Sequence, residues 1–354
     1  MPQEALRREN LARSCQALFA AHGYQPIETP TLESFDVMEH GGHVPGAPFK
    51  LFDRAGELLA MRPDVTLQVA RMCATRLKAQ PGPFRFRYTQ RIFRETEPQV
   101  PAREMTQVGV ECIGESGADV DAELLTLLVE ALRGCGLTDF KISIGTVSVL
   151  HELLDACSDN DDWKADVLNA FHTSNSVELD NLVKSSQAPM AKDDYLSAIV
   201  RLPRIRGGRE AIDQVHDLVA PLGCAGGLGA FTKTFDALNE SGLAEYVMVD
   251  FSVMSSFDYY TGLIFEVYSP NVGTPLGSGG RYDKVLASYG QARPAAGFAF
   301  YLEQVMKSLD LAGNDKDRPL RIAVPKGSLN ADTIACLTAA GLDTTGLDDP
   351  GRKL

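Results

Sequence analysis

Residues 105–113 read Met-Thr-Gln-Val-Gly-Val-Glu-Cys-Ile, an apolar run interrupted by two polar side chains, Gln107 and Glu111. Side chains along a strand alternate with period two, so residues four apart share a face. A strand this rich in Val108, Val110 and Ile113 turns that face toward a core or a pocket. A buried carboxylate without a partner is expensive, which favours a pocket. An ion pair of Glu111 with Arg85 or Arg87 is the structural alternative. The segment therefore commits the chain to a sheet with polar groups set into it.

The rest of the chain supplies the other elements of an α+β fold. Residues 3–22 have the spacing of an amphipathic helix, with Leu6, Leu11, Cys15, Leu18 and Phe19 near one face and Gly23 to stop it. Residues 24–28 are extended and run into Thr29-Pro30; residues 51–53 and 58–61 pair as a β-hairpin. A helix is expected from Asp64 to about Leu77, and strands at 84–88 and 105–113 flank a polar loop with Pro98 and Pro101. A helix at 118–133 and a strand at 140–144 follow. From 146 to 245 strand signals vanish and helical patterns dominate, broken at Gly207-Gly208 and between Gly223 and Gly229. Strands return at 246–251 and 263–268. A glycine-rich turn at 277–280 leads to a helix at 283–289, then a strand at 297–300 and a helix at 302–309. Runs of antiparallel strands flanked by helices argue for α+β rather than a doubly wound sheet. The expected domains are a core of residues 1–145 and 246–310, a helical insertion at 146–245, a linker at 311–318 and a partial βα segment at 319–354.

A net charge of −13 repels polyanions, so nucleic acid is a poor default partner. Seven scattered cysteines with no Cys-x-x-Cys pair imply reduced thiols and neither a disulfide framework nor a metal site. The charged N-terminal stretch lacks a signal-peptide core, and no apolar run reaches the roughly 18–20 residues of a membrane span. A soluble, cytoplasmic protein without membrane contact is expected.

Five stretches carry a resemblance: Met-Arg-Pro-Asp-Val-Thr at 61–66, Phe-Arg-Glu at 93–95, Gln-Val-Gly-Val-Glu at 107–111, Phe-Asp-Tyr-Tyr-Thr-Gly at 257–262 and Gly-Gly-Arg-Tyr-Asp at 279–283. In this order they resemble the class II catalytic core of histidyl-tRNA synthetase over nearly all of residues 3–310. The resemblance implies a class II synthetase-like antiparallel sheet flanked by helices. It also implies that Asp64 and Thr66 receive the α-ammonium of histidine. Gln107 and Glu111 would hold its carboxylate region and imidazole, and Tyr259 and Tyr260 would wall the ring. Arg94 matches an arginine that grips the α-phosphate of ATP, and it could equally serve the ligand carboxylate. Pro30 matches a proline at the dimer interface, which implies a homodimer. Each has a plainer reading: Asp64 as a helix cap, Tyr259 and Tyr260 as core plus surface, Pro30 as a strand end.

The departures fall on the nucleotide side. Where the family carries Gly-Leu-Glu-Arg, this chain has Tyr301-Leu302-Glu303-Gln304; a catalytic arginine is replaced by Ser255, and a glutamate after Arg94 by Thr96. An arginine aimed at charge developing on phosphate is worth about 10³–10⁵ in rate. Losing one electrostatic group in acyl-type chemistry costs about 10²–10³. Two such losses argue against aminoacyl-adenylate formation, no residue is expected to be catalytic, and no cofactor is implied. The tail after Asp310 is also too short for the synthetase's anticodon-binding domain, so no tRNA is expected.

These departures together resemble the ATP phosphoribosyltransferase regulatory subunits, synthetase paralogues that serve the first step of histidine biosynthesis. That family implies a hetero-oligomer with an ATP phosphoribosyltransferase catalytic subunit, L-histidine as ligand and allosteric feedback. Residues 318–329, Arg-Pro-Leu-Arg-Ile-Ala-Val-Pro-Lys-Gly-Ser-Leu, resemble the N-terminus of the short-form catalytic subunit, with Ser328 where an arginine is usual. The likeness continues to Leu354 and implies a βα fragment without a phosphoribosyl pyrophosphate loop. The alternatives are a divergent histidyl-tRNA synthetase, or a scaffold that activates the catalytic subunit while its amino-acid pocket is vestigial.

Overall fold

The computed structural model describes residues 1–39, 47–95, 102–185, 192–253, 259–270, 272–314 and 330–340. Several expectations lie outside them: the loop at 96–101, Ser255, Phe257, Asp258, linker residues 315–318 and the strand that opens the C-terminal segment. The chain divides into two units, Met1–Leu311 and Ala312–Leu354. In the second, the described structure is the helix α12 (Asn330–Ala339).

The first unit opens with α1 (Pro2–Ala21), β1 (Gln25–Pro26), β2 (Leu32–Ser34) and α2 (Phe35–Glu39). Next come the hairpin β3 (Lys50–Phe52) and β4 (Leu58–Met61), α3 (Thr66–Thr75), β5 (Phe84–Phe93), β6 (Glu104–Ile113), α4 (Ala118–Gly134) and β7 (Lys141–Thr146). A helical stretch holds α5 (Ser148–Cys157), α6 (Asp161–His172), α7 (Ser176–Lys184), α8 (Asp193–Arg201), α9 (Arg209–Val219) and α10 (Leu228–Glu240), with a 3₁₀ turn (Leu202–Arg204) and the two-residue β8 (Arg206–Gly207) between α8 and α9. Then β9 (Val247–Asp250), β10 (Leu263–Ser269), β11 (Val272–Arg281), β12 (Ala295–Tyr301) and α11 (Leu302–Asn314) close the unit.

Nine strands form one sheet in the order β1-β5-β6-β12-β11-β10-β7-β9-β8, while β2, β4 and β3 make a small second sheet. The centre is antiparallel; only β1–β5 and β7–β9 pair in parallel. This is the α+β architecture the strand runs imply. Period-two alternation divides β6 between two cores. Val108 and Val110 join an apolar cluster with α1, α4 and the helical stretch, while Tyr88, Ile264 and Ala295 join another built on α3. Gln107 and Glu111 point to the α3 side.

Four expectations need correction. Leu6 is exposed, because α1 is pinned further along, at Cys15 against Cys135 and by Gln16 donating to the Tyr88 carbonyl at 2.8 Å. Strand β5 runs on to Phe93, paired with β6 throughout. The glycines at 277–280 are no turn but the interior of β11. A Cβ on Gly277 would stand 2.4 Å from the Ala299 carbonyl and 2.5 Å from the Phe300 Cβ, so β12 sets the glycine requirement. The expected helix at 283–289 is a single 3₁₀ turn, Val285–Ser288.

Candidate ligand site

The site is built where β6 passes under the start of α3. The register sets Phe86 opposite Glu111 and Gln90 opposite Gln107, which puts Arg85 and Arg87 on the other face of β5. Those two arginines are engaged there: Arg85 pairs with Glu115 and Glu123, and Arg87 donates to the Tyr24 carbonyl and to Gln16. The ion-pair alternative for Glu111 is thereby removed.

Instead, Glu111 accepts from three hydroxyls. Thr66 donates to Oε1 at 2.7 Å, Tyr88 donates to Oε1 at 3.1 Å, and Tyr282 donates to Oε2. The carboxylate lies across β12 at Gly297, where a Cβ would come within 2.0 Å of Oε2. Only 1% of Glu111 is exposed. Burial pushes its carboxyl up to about 8; the hydroxyls of Tyr282, Thr66 and Tyr88 pull the other way, and the nearby Asp64 carboxylate adds to the rise. Desolvation outweighs three donors because none of them carries charge.

Asp64 and Gln107 form the second half of the floor. Gln107 donates from Nε2 to Asp64 Oδ2 at 3.1 Å, and its Oε1 accepts from the Val65 backbone at 3.2 Å. Asp64 Oδ1 also accepts from the Leu67 N–H at 3.4 Å, so Asp64 does hold the first turn of α3. The cap reading and a role at the cavity coexist, since one oxygen faces each way.

Tyr259 and Tyr260 close the third side, their ring centroids 4.9 Å apart, with Tyr282 packed edge-on to Tyr259 at 5.9 Å. Burial holds all three phenols well above their ordinary range, so they remain protonated donors. Asp64, Thr66, Gln107, Glu111, Tyr259 and Tyr260 line one cavity, joined by Tyr282, Ser278 and Gly297. With the side chains as they stand, the free space is about 10 Å³, roughly one water.

Arg94 does not line this cavity. It is buried beside it, donating from Nε to the Pro63 carbonyl at 2.8 Å, with its guanidinium 5.8 Å from the Tyr301 ring centre. Its place is therefore behind the 61–66 stretch, which it steadies. Pro30 is exposed and does not line the cavity; its carbonyl accepts from Gln68 Nε2 at 3.0 Å. Gln304, in the first turn of α11, is 3% exposed and its Oε1 is buried without a hydrogen-bond partner. No positive charge stands at that position.

Four residues escaped the sequence reading. Tyr88 and Tyr282 were not assigned to the site, although both bond Glu111. Arg62 lay within a noted motif, yet its work is structural: it donates to the Thr29 carbonyl at 2.6 Å, to Gln90 at 2.5 Å and to the Arg91 carbonyl at 2.6 Å, binding the 29–30 segment to β5. Arg281 likewise joins β11 to α4 through Asp121 at 2.6 Å. Among the described residues no three His, Cys, Asp or Glu side chains come together as a metal cluster would require, and no helix is long and apolar enough to cross a membrane.

Comparison with known proteins places this geometry in context. A family profile described as histidyl-tRNA synthetase matches residues 1–305. The chain is 35% identical over 309 residues to an ATP phosphoribosyltransferase regulatory subunit of Moorella thermoacetica, covering 86% of this chain and 79% of that one. It is 36% identical over 319 residues to the Bacillus subtilis regulatory subunit, covering 89% and 79% respectively. Among solved structures, an ATP phosphoribosyltransferase regulatory subunit/histidyl-tRNA synthetase from Bacillus halodurans superposes with a TM-score of 0.79 at 29% identity, covering 99% of this chain and 92% of that one.

Proposed function

The chain belongs to the ATP phosphoribosyltransferase regulatory subunit family, built on the histidyl-tRNA synthetase fold, and from that premise we propose that it is a histidine-binding, non-catalytic subunit. Its partner is a catalytic subunit that joins ATP and phosphoribosyl pyrophosphate in the first step of histidine biosynthesis, and histidine bound here feeds back on that partner. The observation that carries the reading is Glu111, a buried carboxyl met by three neutral hydroxyls in a cavity that also holds Asp64 and Gln107. An imidazole reaching Glu111 accepts its proton and leaves a charge-assisted pair, while Asp64 and Thr66 offer oxygens to an α-ammonium. Arg94 acts from behind, by fixing Pro63 and so the position of Asp64. We place the assembly in the cytoplasm as a hetero-oligomer containing a homodimer of this chain with Pro30 at its interface, and without tRNA.

Feedback requires two states of the assembly that differ in histidine affinity, by linkage. Calorimetric titration with histidine, on the chain alone and with its catalytic partner, tests the reading: saturable heat supports it, and its absence from both sinks it. The synthetase alternative is opposed by Gln304, which offers an uncharged amide where a nucleotide would need a cation. Histidine-dependent exchange between ATP and pyrophosphate would reinstate that alternative.

A further inference from the structure

A second cavity, of about 500 Å³, lies in the helical stretch, away from Glu111 and lined by other residues. That is the size of sites that hold small organic molecules. Its floor is apolar, made by Phe171, Leu179, Val200 and Pro203. One wall is the turn before α7, where Ser174 sits at φ 50° and Ser176 is the first helical residue. A non-glycine residue in the left-handed region costs energy and is kept where the surroundings demand it. Ser174, Asn175 and Ser176 all line the cavity, with Asn175 already spent as the cap, accepting from Glu178 N–H at 3.0 Å.

The lining also carries Arg204 and Arg206 and, beside Arg204, the carboxylate of Asp180 on α7. The two arginines belong to the run Arg-Leu-Pro-Arg-Ile-Arg-Gly-Gly-Arg at 201–209, four arginines in nine residues of a chain whose net charge is −13. Arg206 is held by Asp250 at 3.2 Å and by Ser252 at 2.9 Å, so its guanidinium is fixed in place. Arg204 has a looser partner, Asp180, at 3.8 Å, and its side chain is 63% exposed. A weak exposed pair of this kind contributes little and yields readily to a stronger anion. Two guanidiniums, serine hydroxyls and the positive end of a helix share this lining with apolar side chains. Several donors suit a multidentate anion, and the apolar part suits an apolar body.

We propose that this cavity binds a small phosphomonoester with an apolar body, the phosphate between Arg204 and the start of α7 and the body against Phe171 and Leu179. Phenyl phosphate is the simplest probe of that chemistry. The chain also carries its own reporter: Trp163, its one tryptophan, is fully buried on α6 and donates from Nε1 to the Leu182 carbonyl of α7 at 3.2 Å. Phenyl phosphate titrated into the whole chain, followed by calorimetry and by tryptophan emission, should bind saturably and at least about tenfold more tightly than inorganic phosphate. Arg204→Gln should weaken it about tenfold or more with an unchanged melting temperature, since the side chain is largely exposed. No saturable heat with phenyl phosphate, or equal affinity in the wild type and the variant, would overturn the proposal. Inorganic phosphate binding as tightly as phenyl phosphate would overturn the role of the apolar floor and with it the ligand class.

Discussion

Replacing Glu111 with glutamine separates the ligand role of this residue from its effect on the fold, because the two move in opposite directions. In the folded chain the carboxyl is pushed from 4.5 to about 8 by burial. A carboxyl with a raised folded value contributes its full share below the unfolded value and is a growing liability above it. Stability is therefore unaffected by this group below about pH 4.5 and falls as pH rises toward about 8, by roughly 1.4 kcal/mol for each pH unit in that window. Above it the loss is constant, a few kcal/mol in all. Glutamine keeps the shape, still accepts from Thr66 and Tyr88, and never ionises. Glu111→Gln should therefore be more stable than the wild type in urea denaturation at about pH 9 and close to it at about pH 5.

Histidine affinity should fall in the same variant. A hydrogen bond to a charged group is worth about 1.5–3 kcal/mol, which is about 10- to 150-fold in Kd. A variant that is more stable at alkaline pH yet binds histidine less well cannot have failed by unfolding. Two outcomes refute the reasoning: a stability difference between wild type and variant that does not change from about pH 5 to about pH 9, or a histidine Kd that glutamine leaves unaltered.

Three further outcomes follow from the same geometry. Tyr282→Phe removes one donor from a buried carboxyl, so unfolding in urea should show a loss of about 1–3 kcal/mol. Gly297→Ala places a methyl group within 2.0 Å of Glu111 Oε2 and 2.5 Å of the Val110 carbonyl; it should destabilise the chain by more than about 1 kcal/mol and abolish histidine heats at pH values where it remains folded. Arg281→Met leaves Asp121 buried without its cation and should cost about 3–5 kcal/mol, read as a lowered denaturation midpoint.

How far the site was legible follows from how local each signal is. Gln107 and Glu111 announced a shared strand face because two polar residues spaced by four in an apolar strand leave few other arrangements. Asp64 and Thr66 were legible as a helix start, and the resemblance grouped them with Gln107 and Glu111, beside which they line one cavity. Tyr282 was not assigned, since the bond to Glu111 spans 171 residues and depends on β6, β12 and β11 lying side by side. Strand β5 was read too short because Arg85, Arg87 and Arg91 mark its outer positions while Gln90, a polar residue, is buried. Polarity then ceases to report the face. The glycines at 277–280 misled for a related reason: a requirement imposed by the neighbouring strand β12 has the same composition as a turn.

The tightness of the Glu111 cavity bears on what such a site does. Space for about one water cannot hold an amino acid. On the proposed reading, histidine binding there displaces the walls, and among those walls the floor is the less movable part. Asp64 is tied to Gln107 and to the first turn of α3, and Glu111 lies in the middle of a paired strand. Tyr259 and Tyr260 instead stand on the segment between β9 and β10, outside both strands. On the proposed reading the work of binding is then done on those two rings. A ligand shifts an equilibrium only through its different affinity for two arrangements. A preformed pocket that fits histidine unchanged would bind it tightly and report nothing; a closed one that opens converts occupancy into a change of shape. If the chain senses histidine as proposed, the near absence of free space is the property that would let occupancy be felt elsewhere.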